Sequence, residues 1–330
     1  MSVPEPTPPI SVALCTRNGA TYIEEQLLSI LEQSIHPTQL VVSDDASTDD
    51  TIARVREIAA RYPAVALTVF ENDPALGVTK NFEQAIRACT GDLIALSDQD
   101  DVWHPARLER FVAAFATQPS VALIHSDALL VDGNGQSLGH TLAHALGVSA
   151  GEVASIHAGD AFSVLLRRNL VTGACTMFRR SLVEYAAPFP AGWVHDEWLG
   201  IIAAAVASTG FIDETTIDYR QHGANQIGAT KLSVAGKFSR MLEPRRARNA
   251  RLEANASVLV DRLQRLGARV SDEKVHRALA KLDHERMRSS LPESRLRRVT
   301  PVTGAFFAGQ YHRYSRGPLD AMRDILQPVG

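Results

Sequence analysis

Three clusters of acidic side chains in this 330-residue chain could carry chemistry. Asp44 and Asp45 stand in Ser43-Asp44-Asp45-Ala46-Ser47-Thr48-Asp49-Asp50. Asp98, Asp100 and Asp101 stand in Ser97-Asp98-Gln99-Asp100-Asp101-Val102-Trp103, and His195, Asp196 and Glu197 in Gly192-Trp193-Val194-His195-Asp196-Glu197-Trp198. Three carboxylates within four residues repel one another unless a cation lies among them. Alternate residues of an extended chain project to one side, so Asp98 and Asp100 are placed for one hard divalent ion, Mg²⁺ or Mn²⁺, that also binds a substrate diphosphate. A solvated acidic turn is the plainer reading. Asp44 and Asp45 can accept hydrogen bonds from a base or ribose, whereas Ser47–Asp50 reads as a helix cap. The third cluster is open between metal ligand, general base and helix cap. Trp193 and Trp198 form either a stacking wall for a sugar ring or part of the core.

Positioning such groups requires a scaffold, and the chain alternates in a way that provides one. Short apolar runs at Ile10–Cys15, Gln39–Ser43, Ala66–Glu71, Asp92–Ser97 and Val121–Ser126 read as strands. Helical spacing fills the intervals at Tyr22–Gln33, Asp49–Arg61, Thr79–Cys89 and His104–Ala116. Near-continuous apolar strands alternating with helices predict an α/β fold, a mostly parallel sheet flanked by helices. Ligands bind such sheets in the loops after the strands' carboxyl ends, where all three acidic clusters fall. Residues 132–166 carry a looser, glycine- and histidine-rich pattern and are expected to be a mobile loop. The expected organisation is a mobile lead-in over 1–9, an α/β domain over 10–230 and a basic helical extension over 231–330.

Composition bounds the function. With 45% hydrophobic and 22% charged residues the chain is globular, and no apolar run approaches the roughly 20 residues of a membrane span. Cys15, Cys89 and Cys175 are too few for a disulfide framework. With no leader pattern at the start, a cytoplasmic setting is expected, with a peripheral place on the inner face of the cell membrane. The formal charge of −3 divides into −14 over residues 1–230 and +11 over 231–330. An acidic front suits a metal site and not nucleic acid; the basic end suits an anionic membrane surface or a solvated helical face. No glycine-rich phosphate loop, GxSxG elbow or HExxH is present, so diphosphate binding falls to carboxylate-held metal.

The segments SVALCTRNGATYIEEQL, LVVSDDASTDDT and TGDLIALSDQDDVWHPARL resemble, in order and spacing, the inverting family-2 glycosyltransferases of GT-A fold. NLVTGACTMFRRSL, GWVHDEWL and YRQHGANQIG extend the resemblance over roughly residues 10–228, the last three looking most like the rhamnosyltransferase-like branch. The resemblance implies transfer of one sugar from a nucleotide-diphosphate sugar, dTDP-rhamnose or a UDP-sugar, to a hydroxyl of a saccharide or lipid-linked glycan in bacterial surface polysaccharide synthesis.

It also implies roles residue by residue. Thr16, Asn18, Asp45, Asn81 and Asp98 fall where the family binds the nucleotide-sugar. Asp98 and Asp100 match the DXD signature, with Asp100 and His222 as metal contacts. Asp196 matches the catalytic base, with Glu197 as the fallback because His195 stands where many members carry Glu. Gly173 and Thr176, with Trp193 and Trp198, border the sugar and acceptor. A sugar nucleotidyltransferase and a receiver-like module that binds Mg²⁺ are the competing readings. The first lacks its glycine-rich loop, and the second leaves Trp193–Trp198 and His222 without a purpose.

Overall fold

A computed structural model describes residues 7–222 and 245–328. Its strands are β1 (Ile10–Thr16), β2 (Gln39–Asp44), β3 (Ala66–Glu71), β4 (Leu93–Ser97), β5 (Val102–Trp103), β6 (Val121–Asp132), β7 (Ser137–Thr141), β8 (Thr176–Arg179) and β9 (Ser208–Gln221). The helices up to residue 206 are α1 (Ile23–Leu31), α2 (Thr51–Ala59), α3 (Val78–Ala88), α4 (Arg107–Thr117), α5 (Leu142–Leu146), α6 (Ala150–His157), α7 (Ala161–Arg167), α8 (Val183–Ala186) and α9 (His195–Val206). Contacts divide the chain into two units: Met1–Gly159 with Val171–Ala229, and Asp160–Leu170 with Thr230–Gly330. The expected boundary at residue 230, and residues 1–6 of the expected lead-in, lie outside the described residues.

The first unit is built on one sheet in the order β3-β2-β1-β4-β8-β6-β9-β5, with β7 added on β6. Every residue of β1, β2 and β4 is buried, as unbroken apolar runs in a sheet covered on both faces must be. β3, at the edge, is half-exposed. Parallel pairing holds from β3 to β4 and between β6 and β9. β8 runs against both β4 and β6, and β5 against β9, so the sheet is more mixed than the alternation predicts. Sequence pattern shows which residues are strand but not which way a short strand such as Thr176–Arg179 runs.

The expectation of a loop over 132–166 is corrected. The segment holds β7 and three short helices. Thr141 accepts the His144 N–H at the start of α5, and Gly147 closes that helix in the left-handed conformation. Ser149 and Glu152 form a capping box on α6, a signal legible in the sequence but attached to helices too short for a periodicity window.

The second unit is helical: α7, Arg245–Leu266, Asp272–Ser289, Arg295–Phe307, Gln310–Tyr314 and Pro318–Leu326. Part of its positive charge is internal. Arg288 is buried and bonds Asp324 at 2.6 Å and Glu285 at 2.9 Å, and Tyr311 donates its hydroxyl to the same Asp324 at 2.9 Å. Arg298, also buried, donates to the carbonyls of Pro292 (2.7 Å) and Gln327 (2.6 Å). A wholly solvated arginine face is therefore not what this basic segment forms.

Candidate active site

Parallel register brings the acidic clusters to one rim. Thr16 pairs with Asp44 and Leu14 with Ser97, so the loops after β1, β2 and β4 leave the sheet side by side. The first loop is locked to the other two. Asn18, in the left-handed region at φ 49°, accepts the Thr48 N–H on Oδ1 (2.8 Å) and donates its own N–H to Ser47 Oγ (2.7 Å). Gln99, the middle residue of Asp98-Gln99-Asp100, accepts the Arg17 N–H at 2.7 Å and donates to the Arg17 carbonyl at 3.0 Å. A Cβ on Gly19 would lie 2.2 Å from Gln99 Oε1, so only glycine allows this amide to seat.

Asp98, Asp100, Asp101 and Asp196 gather beneath those loops. Loss of hydration, then the negative charges of Asp100 and Asp196, push the Asp98 carboxyl up to about 7. Burial and the charges of Asp100 and Asp98 push Asp101 well above the usual carboxylate range, opposed by the Arg220 N–H it accepts at 3.0 Å and by Arg107. Asp100 Oδ2 meets His222 Nε2 at 2.8 Å, and the His222 ring stacks on Tyr22 with centroids 4.9 Å apart. Arg220 clamps the loop, donating Nε to the Asp100 carbonyl at 2.8 Å and a terminal nitrogen to Glu25 at 2.7 Å.

Asp196 is held from the other side. Its Oδ2 accepts the Gly173 N–H at 2.9 Å and its Oδ1 the Glu197 N–H at 2.6 Å, in the first turn of α9. His195 lies flat against Phe82, centroids 3.8 Å apart at 15°, and neither ring nitrogen has a hydrogen-bond partner among the described residues. Burial lowers its pKa, against the pull of Asp196. Arg107, fully buried over the Trp103 ring, donates to the Ala174 carbonyl at 2.7 Å and so fixes the turn carrying Gly173. Gln99, Arg107, Arg220 and Gly19 were not singled out as site residues from the sequence, though all lie inside the quoted motifs.

The donor set, two or three carboxylates and one imidazole, is one that a hard divalent ion takes, and burial followed by the charges of Asp100 and Asp196 raises the Asp98 carboxyl. Among the described residues no three such side chains are drawn together into a ready-made cage.

Several expected contact residues turn out to be scaffolding. Thr16 is buried and donates to Asp44 Oδ1 at 2.6 Å. Asn81 is buried against Ser43, accepting its hydroxyl at 2.6 Å and donating to its carbonyl at 2.8 Å. Thr176 is fully buried, its hydroxyl on the Thr172 carbonyl. Trp198 is fully buried and its indole N–H is bonded to the Ala186 carbonyl at 2.8 Å, because α9 is apolar on nearly every face. None of these four side chains is open to a ligand; each shapes the rim from behind. Asp45 is buried and accepts the N–H groups of Leu76 and Gly77, and Asp44 accepts the Ser47 N–H at 2.8 Å. Trp193 has a buried indole N–H without a hydrogen-bond partner among the described residues.

Residues 11–185 match Glycosyl transferase family 2. The chain belongs to that family. It is 29% identical over 223 residues to an uncharacterized glycosyltransferase of Nostoc sp., a match covering 66% of each chain. It is 25% identical over 232 residues to the dTDP-rhamnosyl transferase RfbG of Shigella flexneri, covering 69% of this family-2 chain and 78% of that one. Its fold is similar to that of Staphylococcus aureus TarS 1–349 in complex with UDP-GlcNAc (TM-score 0.58, 16% identity, 96% of this chain and 90% of that one). It is also similar to the Pyrobaculum calidifontis mannosyltransferase PcManGT in complex with GDP-Man and Mn²⁺ (TM-score 0.54, 20% identity, 93% and 77%). The fold is GT-A, and the family-2 chain is a glycosyltransferase; a nucleotidyltransferase or receiver module does not fit. No described helix is long and apolar enough to cross a membrane.

Proposed function

We propose that the chain moves a single sugar from a nucleotide-diphosphate donor to an acceptor hydroxyl, with inversion at the anomeric carbon. The observation that carries this reading is the convergence of Asp98, Asp100 and Asp196 at one rim, where burial first, and then the charges of Asp100 and Asp196, push Asp98 up to about 7. Asp98, Asp100 and His222 would hold a Mg²⁺ or Mn²⁺ ion, which supplies neutralisation of the diphosphate charge. Asn18 and Asp45 would border the nucleoside, and Gly173 and Trp193 the sugar.

Asp196 accepts the acceptor hydroxyl's proton as its oxygen attacks the anomeric carbon opposite the diphosphate. The bond from that carbon to the diphosphate oxygen breaks, and its electron pair leaves with the nucleotide. The N–H groups of Gly173 and Glu197 hold the Asp196 carboxylate in place during that transfer. Likeness to a dTDP-rhamnosyl transferase supports dTDP-rhamnose as donor, with a UDP-sugar as the alternative. The acceptor is a saccharide or lipid-linked glycan of bacterial surface polysaccharide synthesis, met on the inner face of the cell membrane.

Calorimetry with UDP, dTDP and GDP, each with and without Mn²⁺, on wild type and Asp100→Ala tests the reading. Mn²⁺-dependent binding of a pyrimidine diphosphate that disappears in the variant is expected. Equal binding with and without the metal, or in the variant, would remove the metal from the proposal.

A further inference from the structure

The turn that aims Asp196 is supported from inside the sheet by one side chain. Arg107, at the start of α4, has no exposed surface. One terminal nitrogen donates to the Ala174 carbonyl at 2.7 Å and the other to Thr216 Oγ1 at 2.9 Å. Its guanidinium lies 4.5 Å from the centre of the Trp103 ring and 5.1 Å from that of Phe111, and its charge reaches the buried Asp101. Arg107 therefore touches three segments of the site at once. Trp103 closes the run that holds Asp98 and Asp100, and Ala174 follows the glycine whose N–H holds Asp196. Thr216 lies on β9, the strand that carries Arg220.

Packing alone does not call for an arginine here. Burial lowers its pKa to about 10, so the side chain stays charged near neutrality at a cost in lost hydration. Its Nε has no hydrogen-bond partner among the described residues, so the group is not even fully satisfied. An apolar side chain of similar length would fill the space beside Trp103 and Phe111 without that cost. What it could not do is hold the Ala174 carbonyl and the Thr216 hydroxyl from one planar, rigid fork.

We infer that Arg107 is a positioning residue for the transfer step: its guanidinium fixes the Gly173–Cys175 turn against β9, so that the Gly173 N–H holds the Asp196 carboxylate where it takes the acceptor's proton. The inference rests on the reading of Asp196 as the base and adds to it a buried residue that acts only through others. The test follows nucleotide release from dTDP-rhamnose, or from UDP-glucose where wild type does not turn over the first, with water as the acceptor whose proton Asp196 takes. Arg107→Lys keeps the charge but replaces the fork by a single ammonium that cannot span both partners. Its kcat is expected to fall by about tenfold, with donor KM and calorimetric donor affinity within about twofold of wild type. In the Asp196→Asn background the same substitution should change the residual rate by less than about twofold, because the group that it positions is gone. A side chain that only supports the fold would lower the rate equally in both backgrounds. Thr216→Val, which keeps the shape and releases one arm of the fork, is measured in its place if the lysine variant does not fold. A fall of about threefold, again absent with Asp196→Asn, is then expected. Equal losses in the two backgrounds, no loss in either, or a donor affinity that falls in parallel with kcat would overturn the inference. An Asp196→Asn variant as fast as wild type, or no nucleotide release from either donor by wild type, would instead overturn the reading of the site on which the inference rests.

Discussion

Gly173 donates its backbone N–H to Asp196 Oδ2 at 2.9 Å, and the approach depends on what Gly173 lacks. A Cβ there would lie 2.6 Å from His195 Nε2 and 3.6 Å from the Cβ of Asp196. His195 cannot yield easily, because it is buried and its ring lies flat against Phe82. Gly173→Ala must therefore push the turn away from α9 and lose the hydrogen bond that aims Asp196. Turnover is expected to fall by about 10²-fold, the scale on which misplacement of a reacting group acts. Donor binding by calorimetry should be unchanged; a parallel loss of donor affinity would mean that the whole rim had moved.

Asp196 and Glu197 are separated by the same test applied to charge. Asp196 has two backbone N–H groups on its oxygens and raises the carboxyl of Asp98, which places it within the acidic set. Asp196→Asn keeps shape and hydrogen bonding but removes the proton acceptor, so turnover should drop by about 10²–10⁴-fold. Glu197→Gln should change it by less than about tenfold. The reverse order in steady-state rates would move the base to Glu197.

The scaffold was more legible than the site it carries. Ile10–Cys15, Gln39–Ser43 and Asp92–Ser97 are unbroken apolar runs, and burial on both faces admits little else, so their ends and the acidic clusters at those ends could be read directly. What the runs do not encode is which polar group at a strand end faces a ligand and which faces its neighbour. Thr16 and Asp44, 28 residues apart, satisfy each other through the parallel register of β1 and β2, and Asn81 satisfies Ser43, 38 residues away, because α3 packs on β2. Trp198 has the composition of a sugar wall, but α9 is buried nearly all round and places it in the core. Gly19 and Gln99 form one device from two motifs, invisible until the loops after β1 and β4 are adjacent.

That device makes a coupled prediction. Gln99→Ala removes the two hydrogen bonds to Arg17, a loss of about 1–2 kcal/mol in urea unfolding for partly exposed bonds. Gly19→Ala displaces the same amide and should cost a similar amount. The double variant should cost well under the sum, because the second substitution removes an interaction already lost. Additive losses would show that Gly19 is required by something other than Gln99.

Acid stability should report a different buried group. His125 lies inside the sheet on β6 against Phe211, its Nε2 without a hydrogen-bond partner among the described residues, and burial lowers its pKa to about 4. An unfolded histidine titrates near 6.5, so between roughly pH 6.5 and 4 the unfolded chain binds the proton and the folded chain does not. The stabilisation is therefore whole above about 6.5 and is lost as pH falls toward 4, by an amount on the order of 3 kcal/mol for this one group. His125→Phe, filling the same space beside Phe211 without a titratable ring, should flatten the fall in urea midpoint between pH 7 and 5. An unaltered slope in the variant would assign that limb to another buried histidine, with His284, also lowered to about 4, the first to substitute next.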